Sequence, residues 1–501
     1  MICVVIGRAR PQMVEAEIGQ AGAQGAQLIE LRLDFLARAP DLKKLLERKP
    51  CPMIATVRRP VDGGRWSGSE EARLALLRQA IISGFDWVDL ETDVIDGVRR
   101  LGNVRRIVSY HNLREVPDDL ESIYERMCRQ DADVVKIAVT AQQPEDNLRV
   151  LELLRQAPKP TVAFCMGDLG TPSRILQAKY GAPFTYAVFN KERGVAPGIL
   201  SWHELKRVYR YDQINAQTDV YGVIGDPIAH SLSPQIHNAA LRHLGLNAVY
   251  LPFRVPRGRL ETFLAAFQRI PVRGYSVTIP HKEHAAAVAA VKDPAVVKIG
   301  AANTLVLTDQ GFAAYNTDYR AAIDSLLHHL PRSPDAGSAH LEGRLVLLLG
   351  AGGVARALAH ALRDHGAIVT IANRTPERAL DLAAETRSHV VGWEVRHTVA
   401  CDILVNGTSI GMHPNVDDSP VHPSFLKSGL HVFDTVYTPE NTLLVKEARA
   451  RGCIVLTGVD MFIRQAAIQF ELFTGRPAPL DLMTKVVRRA LSPVTLPDED
   501  T

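Results

Sequence analysis

The sequence is poor in the features that mark several protein classes. Net charge is nearly absent: 58 Lys+Arg face 55 Asp+Glu, a net +3 over 501 residues. That surplus is too small for the basic face of a nucleic-acid binder, so any anion site must be local. Cysteine is sparse. Cys3, Cys51, Cys128, Cys165, Cys401 and Cys453 lie far apart, with no Cys-x-x-Cys pair and no histidine spacing suited to zinc, so a reduced compartment and no metal are expected. No apolar run reaches the length of a membrane span. The opening Met-Ile-Cys-Val-Val-Ile-Gly-Arg has neither a basic n-region nor an apolar stretch long enough for a signal peptide, which predicts a cytoplasmic chain with no membrane partner. Tandem repeats and low-complexity segments are missing too. What remains is the composition of an ordinary globular protein, long enough for two to four domains.

Residues 1 to about 212 alternate short β-branched runs with amphipathic helical stretches. Eight strands are predicted, at Cys3–Ile6, Gln27–Leu33, Met53–Val57, Trp87–Leu90, Arg105–Tyr110, Val134–Val139, Thr161–Cys165 and Thr185–Val188, with helical segments such as Glu70–Ser83 and Leu120–Arg129 between them. Eight βα units in so short a span predict a (β/α)8 barrel, with its chemistry at the C-terminal strand ends. The polar stretch from Asp212 to Asp219 marks a boundary. Residues 219–330 then read as a second α/β domain, and the Pro/Gly/Ser-rich stretch Pro331–Ala339 as a connection. Residues 340–457 read as a third, Rossmann-like domain, and disorder is expected beyond Leu491.

Lys136 stands in Asp-Ala-Asp-Val-Val-Lys-Ile-Ala-Val, a stretch that reads as a buried strand. An ammonium there is costly unless it is used, and low dielectric favours the neutral amine, which can attack a ketone to form a Schiff base. The plain alternative is a lysine at a strand end that reaches solvent or pairs with a carboxylate such as Asp133. Glu30-Leu-Arg32-Leu-Asp34 alternates charged with apolar residues, placing three charges on one strand face, which in a small barrel is the interior. Such a face is a site or a buried ion cluster. Arg58 and His111 end two further strands, and a histidine one strand before a buried lysine favours chemistry over structure.

Glu-x-Arg, Thr-x-Arg with a downstream Gly-Gly, Ser-Tyr-His and Val-Lys-Ile-Ala, in this order and spacing, resemble type I 3-dehydroquinate dehydratase over about residues 1 to 210. The resemblance implies that Lys136 forms an imine with the substrate ketone. His111 would be the general acid/base, oriented by a carboxylate that would be Glu30, and Arg32, Arg58 and Arg174 would hold the substrate's carboxylate and hydroxyls. The chain departs from the family in two places. Asp62 stands where glutamate is usual, and the substrate-covering loop reads Val195-Ala-Pro-Gly-Ile199 in place of Ser-Ala-Pro-Gly-Gln. Two hydrogen-bonding side chains have become apolar, so the substrate is expected to be held less tightly unless neighbours such as Lys191 and Arg193 compensate.

In the second half, Gly350-Ala351-Gly352-Gly353-Val354-Ala355 follows an apolar strand and opens a helix, as a dinucleotide-binding turn requires. The next strand ends in Asn373-Arg374-Thr375, where an arginine in place of an acidic residue favours the 2′-phosphate of NADPH. Ser231-Leu-Ser233-Pro234 reads as a helix cap or a carboxylate-binding helix start. Ser276-Val-Thr278, with Lys282 beyond it, Ala302-Asn303-Thr304 and Asn316-Thr317-Asp318 are each readable as turn chemistry when taken alone.

Together with the late Gly458-Val-Asp-Met and Gln465-Ala, these motifs resemble shikimate dehydrogenase from about residue 219 to 490. The resemblance implies a two-domain dehydrogenase, an α/β substrate domain to which helices at 458–490 return plus a Rossmann NADP-binding domain. Lys282 and Asp318 would be its catalytic dyad. Ser231, Ser233, Ser276, Thr278, Asn303 and Gln465 would bind substrate, and Thr408, Gly411, Met412, Tyr437 and Gly458 would border the nicotinamide. The product implied for the first half, 3-dehydroshikimate, is the substrate implied for the second, whose product is shikimate. The rival expectations are a barrel reduced to a scaffold by its altered loop, and a second half that acts on quinate or only binds ligand.

Overall fold

The computed structural model describes residues 1–38, 41–47, 49–189, 196–330 and 341–492. Val195, Lys191, Arg193, the connection from Pro331 to Ala339 and the tail beyond Ser492 lie outside the described residues. The chain divides into two compact units, one of Met1–Gly222 with Asp226–His230 and Asn247–Val272, the other of Val223–Gly225, Ser231–Leu246 and Arg273–Thr501.

The first unit contains β1 (Ile2–Ile6), β2 (Leu28–Arg32), β3 (Met53–Thr56), β4 (Trp87–Glu91), β5 (Arg105–Asn112), β6 (Val134–Thr140), β7 (Thr161–Met166) and β8 (Thr185–Ala187). They form a nearly closed parallel barrel in the order β7-β6-β5-β4-β3-β2-β1-β8. The strands read as apolar because a parallel barrel is covered by helices outside and filled by side chains within. Interior packing is supplied by Cys3, Val5, Ile54, Ile107, Val162, Phe164, Met166 and their neighbours.

Two boundaries differ from expectation in ways that matter. β5 runs on to Asn112 because it stays in register with β6 as far as Asn112 opposite Val139, so His111 is a strand residue. β2 stops at Arg32, and Asp34 sits in the short 3-10 turn Leu33–Phe35 rather than on the strand face.

Beyond the barrel come β9 (Asp219–Gly225), β10 (Ala248–Arg254), β11 (Val272–Val277), β12 (Val291–Lys292), β13 (Thr304–Thr308) and β14 (Gly311–Tyr315). β11 pairs antiparallel with β13 and β13 with β14, while β12 joins β14 in parallel. The last six strands are β15 (Leu345–Leu349), β16 (Ile368–Asn373), β17 (His389–Gly392), β18 (Ile403–Asn406), β19 (His431–Asp434) and β20 (Ile454–Thr457). They make an all-parallel sheet in the order β17-β16-β15-β18-β19-β20. The order reverses between β15 and β18, and ligands of open α/β sheets bind at such a switch point. Helix Gly458–Thr474 packs on helix Thr317–His329, and helix Leu480–Leu491 on helix Ser233–His243. All six cysteines are free, and no described helix is long and apolar enough to cross a membrane.

Candidate active sites

In a barrel, alternate strands contribute the side chains of one interior layer. Here β2, β4, β6 and β8 contribute Glu30, Asp89, Lys136 and Tyr186. Lys136 is only 5% exposed. Its Nζ lies 3.0 Å from Asp89 Oδ2, 3.6 Å from Glu30 Oε1 and 4.2 Å from the centre of the Tyr186 ring. Asp133, the partner offered by the plain reading of Lys136, accepts instead from the Arg106 amide and from Arg100.

The carboxylates around Lys136 are themselves held. Ser109 Oγ donates to Asp89 Oδ1 at 2.5 Å, and Arg58 Nη2 stands 2.7 Å from Asp89 Oδ2, off the N–H direction and so a charge contact. Thr56 Oγ1 donates to Glu30 at 2.8 Å. Arg58 Nη1 also reaches Glu91 and Ser109, and Arg73 secures the far side of Glu91. Burial opposes the charge on Asp89, but Arg58 and then Lys136 outweigh it and hold the carboxyl far below its ordinary range. Burial opposes the Arg58 charge likewise, and Asp89 and Glu91 push that guanidinium above its ordinary value.

His111 is kept neutral: burial, reinforced by Arg58 and Lys136, pulls it well below the usual imidazole range. Its Nδ1 has no hydrogen-bond partner among the described residues. Glu30, expected to orient His111, is placed on Lys136 and Thr56 instead, because β2 presents it to the layer that β6 shares. Asp62 is also engaged elsewhere, accepting from Arg59 Nε at 2.8 Å.

The three arginines differ. Arg32 spends one edge of its fork on Asp34, Nε and Nη2 donating at 2.9 and 2.8 Å, and Arg58 is committed to Asp89 and Glu91. Arg174, only 2% exposed, has no carboxylate partner among the described residues. Its Nη2 donates to the Pro197 carbonyl at 3.2 Å, its plane lies over Phe164, and its Nε is unpaired. Burial pulls this guanidinium down to about 10. No carboxylate among the described residues offsets the cost of burying this cation. The same Pro197 carbonyl accepts from the Gly167 amide, and Gly198 (φ +67°) packs so closely on Gly167 that a Cβ would strike its oxygen at 2.4 Å. Ile199, beyond the turn, joins the apolar interior with Phe164, Met166 and Tyr186.

The second site is assembled within the second unit. Lys282 begins helix Lys282–Val288, and its Nζ donates to Asp318 Oδ2 at 2.6 Å. Asp318 lies in the first turn of helix Thr317–His329, which Asn316 caps by accepting from the Tyr319 amide. Asn303 Oδ1 accepts from the Thr317 amide at 2.8 Å, and its Nδ2 donates to Thr317 Oγ1 and approaches Gln465 Oε1 at 3.5 Å. Lys282, Asp318, Asn303 and Gln465 are thus tied to two neighbouring helix starts and one long helix. Ser276 is occupied by Gln469, whose amide also reaches the Asn303 carbonyl and Thr304. Ser231 Oγ accepts from the Ser233 amide, but helix Ser233–His243 has Leu232 at its N-cap and no side-chain cap, so neither serine caps it as the plain reading expected, and Pro234 sits in its first turn. Thr278 is half-buried, its amide donating to Ile224.

The dinucleotide turn meets this site. Gly350 (φ +107°) leaves no room for a Cβ, which would stand 2.8 Å from the Gly407 oxygen, while a Cβ on Gly353 would lie 3.1 Å from Lys282 Cδ. Helix Gly353–Asp364 therefore starts, with its free amides, against the lysine. Ala351 and Ala355 are buried and Val354 half-buried. Arg374 is exposed beyond the end of β16, and Asn373 closes that turn by donating to the Thr375 carbonyl. These residues fit a dinucleotide carrying an extra phosphate. Thr408 is held by Asn406, Gly411 (φ +96°) abuts Thr442, and Gly458 abuts the Thr435 oxygen. Tyr437 stacks on Phe462 at 4.3 Å, and burial, with the Asp318 charge behind it, pushes its phenol up.

Sequence reasoning missed Asp89, Glu91, Tyr186, Gln469 and Asp434. Asp434 ends β19, accepts from Asn406, Val436 and Thr442, and is pushed up to about 6 by burial. Asp89 and Glu91 did leave a signal, the same period-two alternation that marked Glu30 and Arg32.

Comparison with known proteins follows the same division. The family model for type I 3-dehydroquinase matches residues 2–216. The shikimate dehydrogenase substrate-binding domain matches 223–305, shikimate/quinate 5-dehydrogenase 335–412, and the shikimate 5′-dehydrogenase C-terminal domain 458–488. The chloroplastic bifunctional 3-dehydroquinate dehydratase/shikimate dehydrogenase of Arabidopsis thaliana is 37% identical over 511 residues, 98% of this chain and 84% of that protein. The NADP(+) shikimate dehydrogenase of Methanosarcina mazei is 42% identical over 54% of this chain and 98% of its own length. A crystal structure of a shikimate dehydrogenase in complex with NADP+ superposes with a TM-score of 0.52 at 33% identity, covering 56% of this chain and 97% of that one. The chain belongs to the bifunctional 3-dehydroquinate dehydratase/shikimate dehydrogenase family.

Proposed function

We propose that the barrel dehydrates 3-dehydroquinate to 3-dehydroshikimate through a Schiff base on Lys136, and that the second unit reduces that product to shikimate with NADPH. The observation that carries the first step is Lys136, almost wholly buried yet held between two carboxylates under the barrel's C-terminal rim. His111, neutral and adjacent, can take a proton from the lysine before attack and from the substrate carbon after it. Arg174 supplies the unspent positive charge for the substrate carboxylate, with Arg32 as a further donor to the substrate.

The reduction rests on Lys282 and Asp318. NADPH, when bound, supplies the hydride. Lys282 gives a proton to the oxygen that becomes an alkoxide, and Asp318, 2.6 Å away, holds the lysine in place and supports its charge. Asn303 and Gln465 would position the substrate hydroxyls, Ser231 and Ser233 its carboxylate, while Arg374 would meet the cofactor's 2′-phosphate. Six free thiols agree with a reducing cytoplasmic setting.

One assay tests the pair of activities. The purified chain is given 3-dehydroquinate and NADPH, and nicotinamide absorbance is followed. Loss of absorbance requires both sites. Oxidation only when 3-dehydroshikimate is supplied would leave the barrel a scaffold.

A further inference from the structure

We propose that the phenolic hydroxyl of Tyr186 is a substrate-binding group of the dehydratase, donating to the substrate hydroxyl on the carbon next to the ketone that Lys136 attacks. This rests on the Schiff-base reading above and names a contact by which that site recognises its substrate.

Phe184 and Tyr186 alternate along the strand that closes the barrel, and both rings join its interior. The Tyr186 ring meets Phe184 edge-on, with centroids 5.5 Å apart at 83°, and Phe164 likewise, at 6.2 Å and 61°. These contacts fix where its hydroxyl stands. Tyr186 is 4% exposed, and that hydroxyl has no hydrogen-bond partner among the described residues. A buried hydroxyl in that state is costly, and phenylalanine would fill the same space without the cost. Other buried atoms around the lysine are unpaired too, but Arg58 Nη2 lies against Asp89, and His111 and Arg174 have uses in the proposed dehydration. The phenol is left over.

Its surroundings decide what it can bond. The ring centre lies 4.2 Å from Lys136 Nζ, and the acids at that nitrogen, Asp89 at 3.0 Å and Glu30 at 3.6 Å, act on the phenol as well. Burial first, then the charges of Glu30 and Asp89, push its ionisation well above the ordinary phenol value. The group therefore stays protonated and donates. A substrate carbon joined to Nζ carries its neighbours across this same layer. Of the two carbons that flank the ketone of 3-dehydroquinate, one bears a hydroxyl and the other only hydrogens, so that hydroxyl is the acceptor within reach. The covering stretch Val195-Ala-Pro-Gly-Ile199 has no side-chain donor, and Ile199 adds apolar contact to the cluster that holds Tyr186. A donor inside the barrel returns polar recognition that the loop does not supply.

Tyr186→Phe removes the hydroxyl and keeps the ring. With 3-dehydroquinate, the dehydratase kcat/KM is expected to fall about 3- to 30-fold, mostly through KM, while Tm stays level or rises because an unpaired buried hydroxyl is gone. With an analogue that lacks the hydroxyl beside the ketone, wild type and variant should agree within about twofold, since the contact is then missing from both. A kcat/KM on 3-dehydroquinate within about twofold of wild type, or an equal loss on both substrates, overturns the proposal. Should Tyr186→Phe fail to fold, Tyr186→Met, whose flexible side chain fills the space, is read by the same comparison. An excess loss on 3-dehydroquinate then supports the proposal, and an equal loss on the two substrates overturns it. Absence of any borohydride adduct on wild-type Lys136 overturns the Schiff-base reading itself, an outcome separate from either variant's.

Discussion

Arg174→Met is expected to damage the dehydratase while leaving the fold intact or slightly firmer. Burial holds the folded guanidinium down at about 10, a depression of order 3 kcal/mol at about 1.4 kcal/mol per pH unit. The sign is unfavourable to folding: burial penalises the charged form, so the cost is present in full below about pH 10 and methionine removes it. Against this, methionine loses the contact over Phe164, worth about 1 kcal/mol, and the bond to the Pro197 carbonyl, about 1 kcal/mol. The remainder is a gain of roughly 1 kcal/mol, so Tm should stay level or rise by a few degrees. Substrate binding moves the other way. Loss of charge-assisted bonds to a carboxylate costs about 1.5–3 kcal/mol, about 10- to 150-fold in kcat/KM, carried mostly by KM. The assay is the absorbance of the conjugated product, with the dehydrogenase rate of the same chain as a check on integrity. A clear fall in Tm with KM unchanged would refute the reasoning and make Arg174 a structural residue.

Three further outcomes follow from the geometry. Lys282→Ala should lower NADPH oxidation with 3-dehydroshikimate by about 100- to 10,000-fold while the dehydratase rate stays constant, since proton transfer is worth that much; an unchanged oxidation rate would dissolve the dyad. Arg374→Ser should raise the KM for NADPH about 5- to 30-fold and leave that for NADH nearly untouched, as expected of a solvent-exposed phosphate contact; equal effects on both cofactors would place the phosphate elsewhere. His111, held neutral well below its ordinary value, should give a dehydratase kcat/KM profile with no acid limb near about pH 6.5, where an unperturbed imidazole would protonate. A limb at that pH would show His111 to be solvated as an ordinary histidine.

The barrel was legible because its strands announce themselves: eight β-branched runs at even spacing, each found within a residue or two of its prediction. The Rossmann sheet was legible for the same reason, together with Gly350 and the run to Arg374. What escaped were partners whose meaning lies across the barrel. Glu30 and Lys136 each stood out alone, but that they share a layer with Asp89 and Tyr186 follows from strand stagger, which one sequence does not show. Asp89 went unremarked although it lies inside the strand predicted at Trp87–Leu90, and β4 runs one residue further, to Glu91, with both acids buried. Glu30 was given to His111 only as what the family resemblance implies. β2 instead turns Glu30 toward β6 and Thr56. Ser276 shows the converse, a polar residue in a binding motif whose hydroxyl is spent on Gln469, 193 positions away.

The two lysines show how burial selects chemistry. In the proposed Schiff-base route Lys136 stays bonded to its substrate, and the barrel surrounds it with two carboxylates and an aromatic face. In the proposed reduction Lys282 only gives up a proton and must recover it between turnovers. It has a single carboxylate at 2.6 Å, its side chain is about twice as exposed as that of Lys136 (12% against 6%), and it begins a helix beside the dinucleotide turn. The two nitrogens therefore differ in what they touch, two acids and a ring face at Lys136 against one acid and a helix start at Lys282.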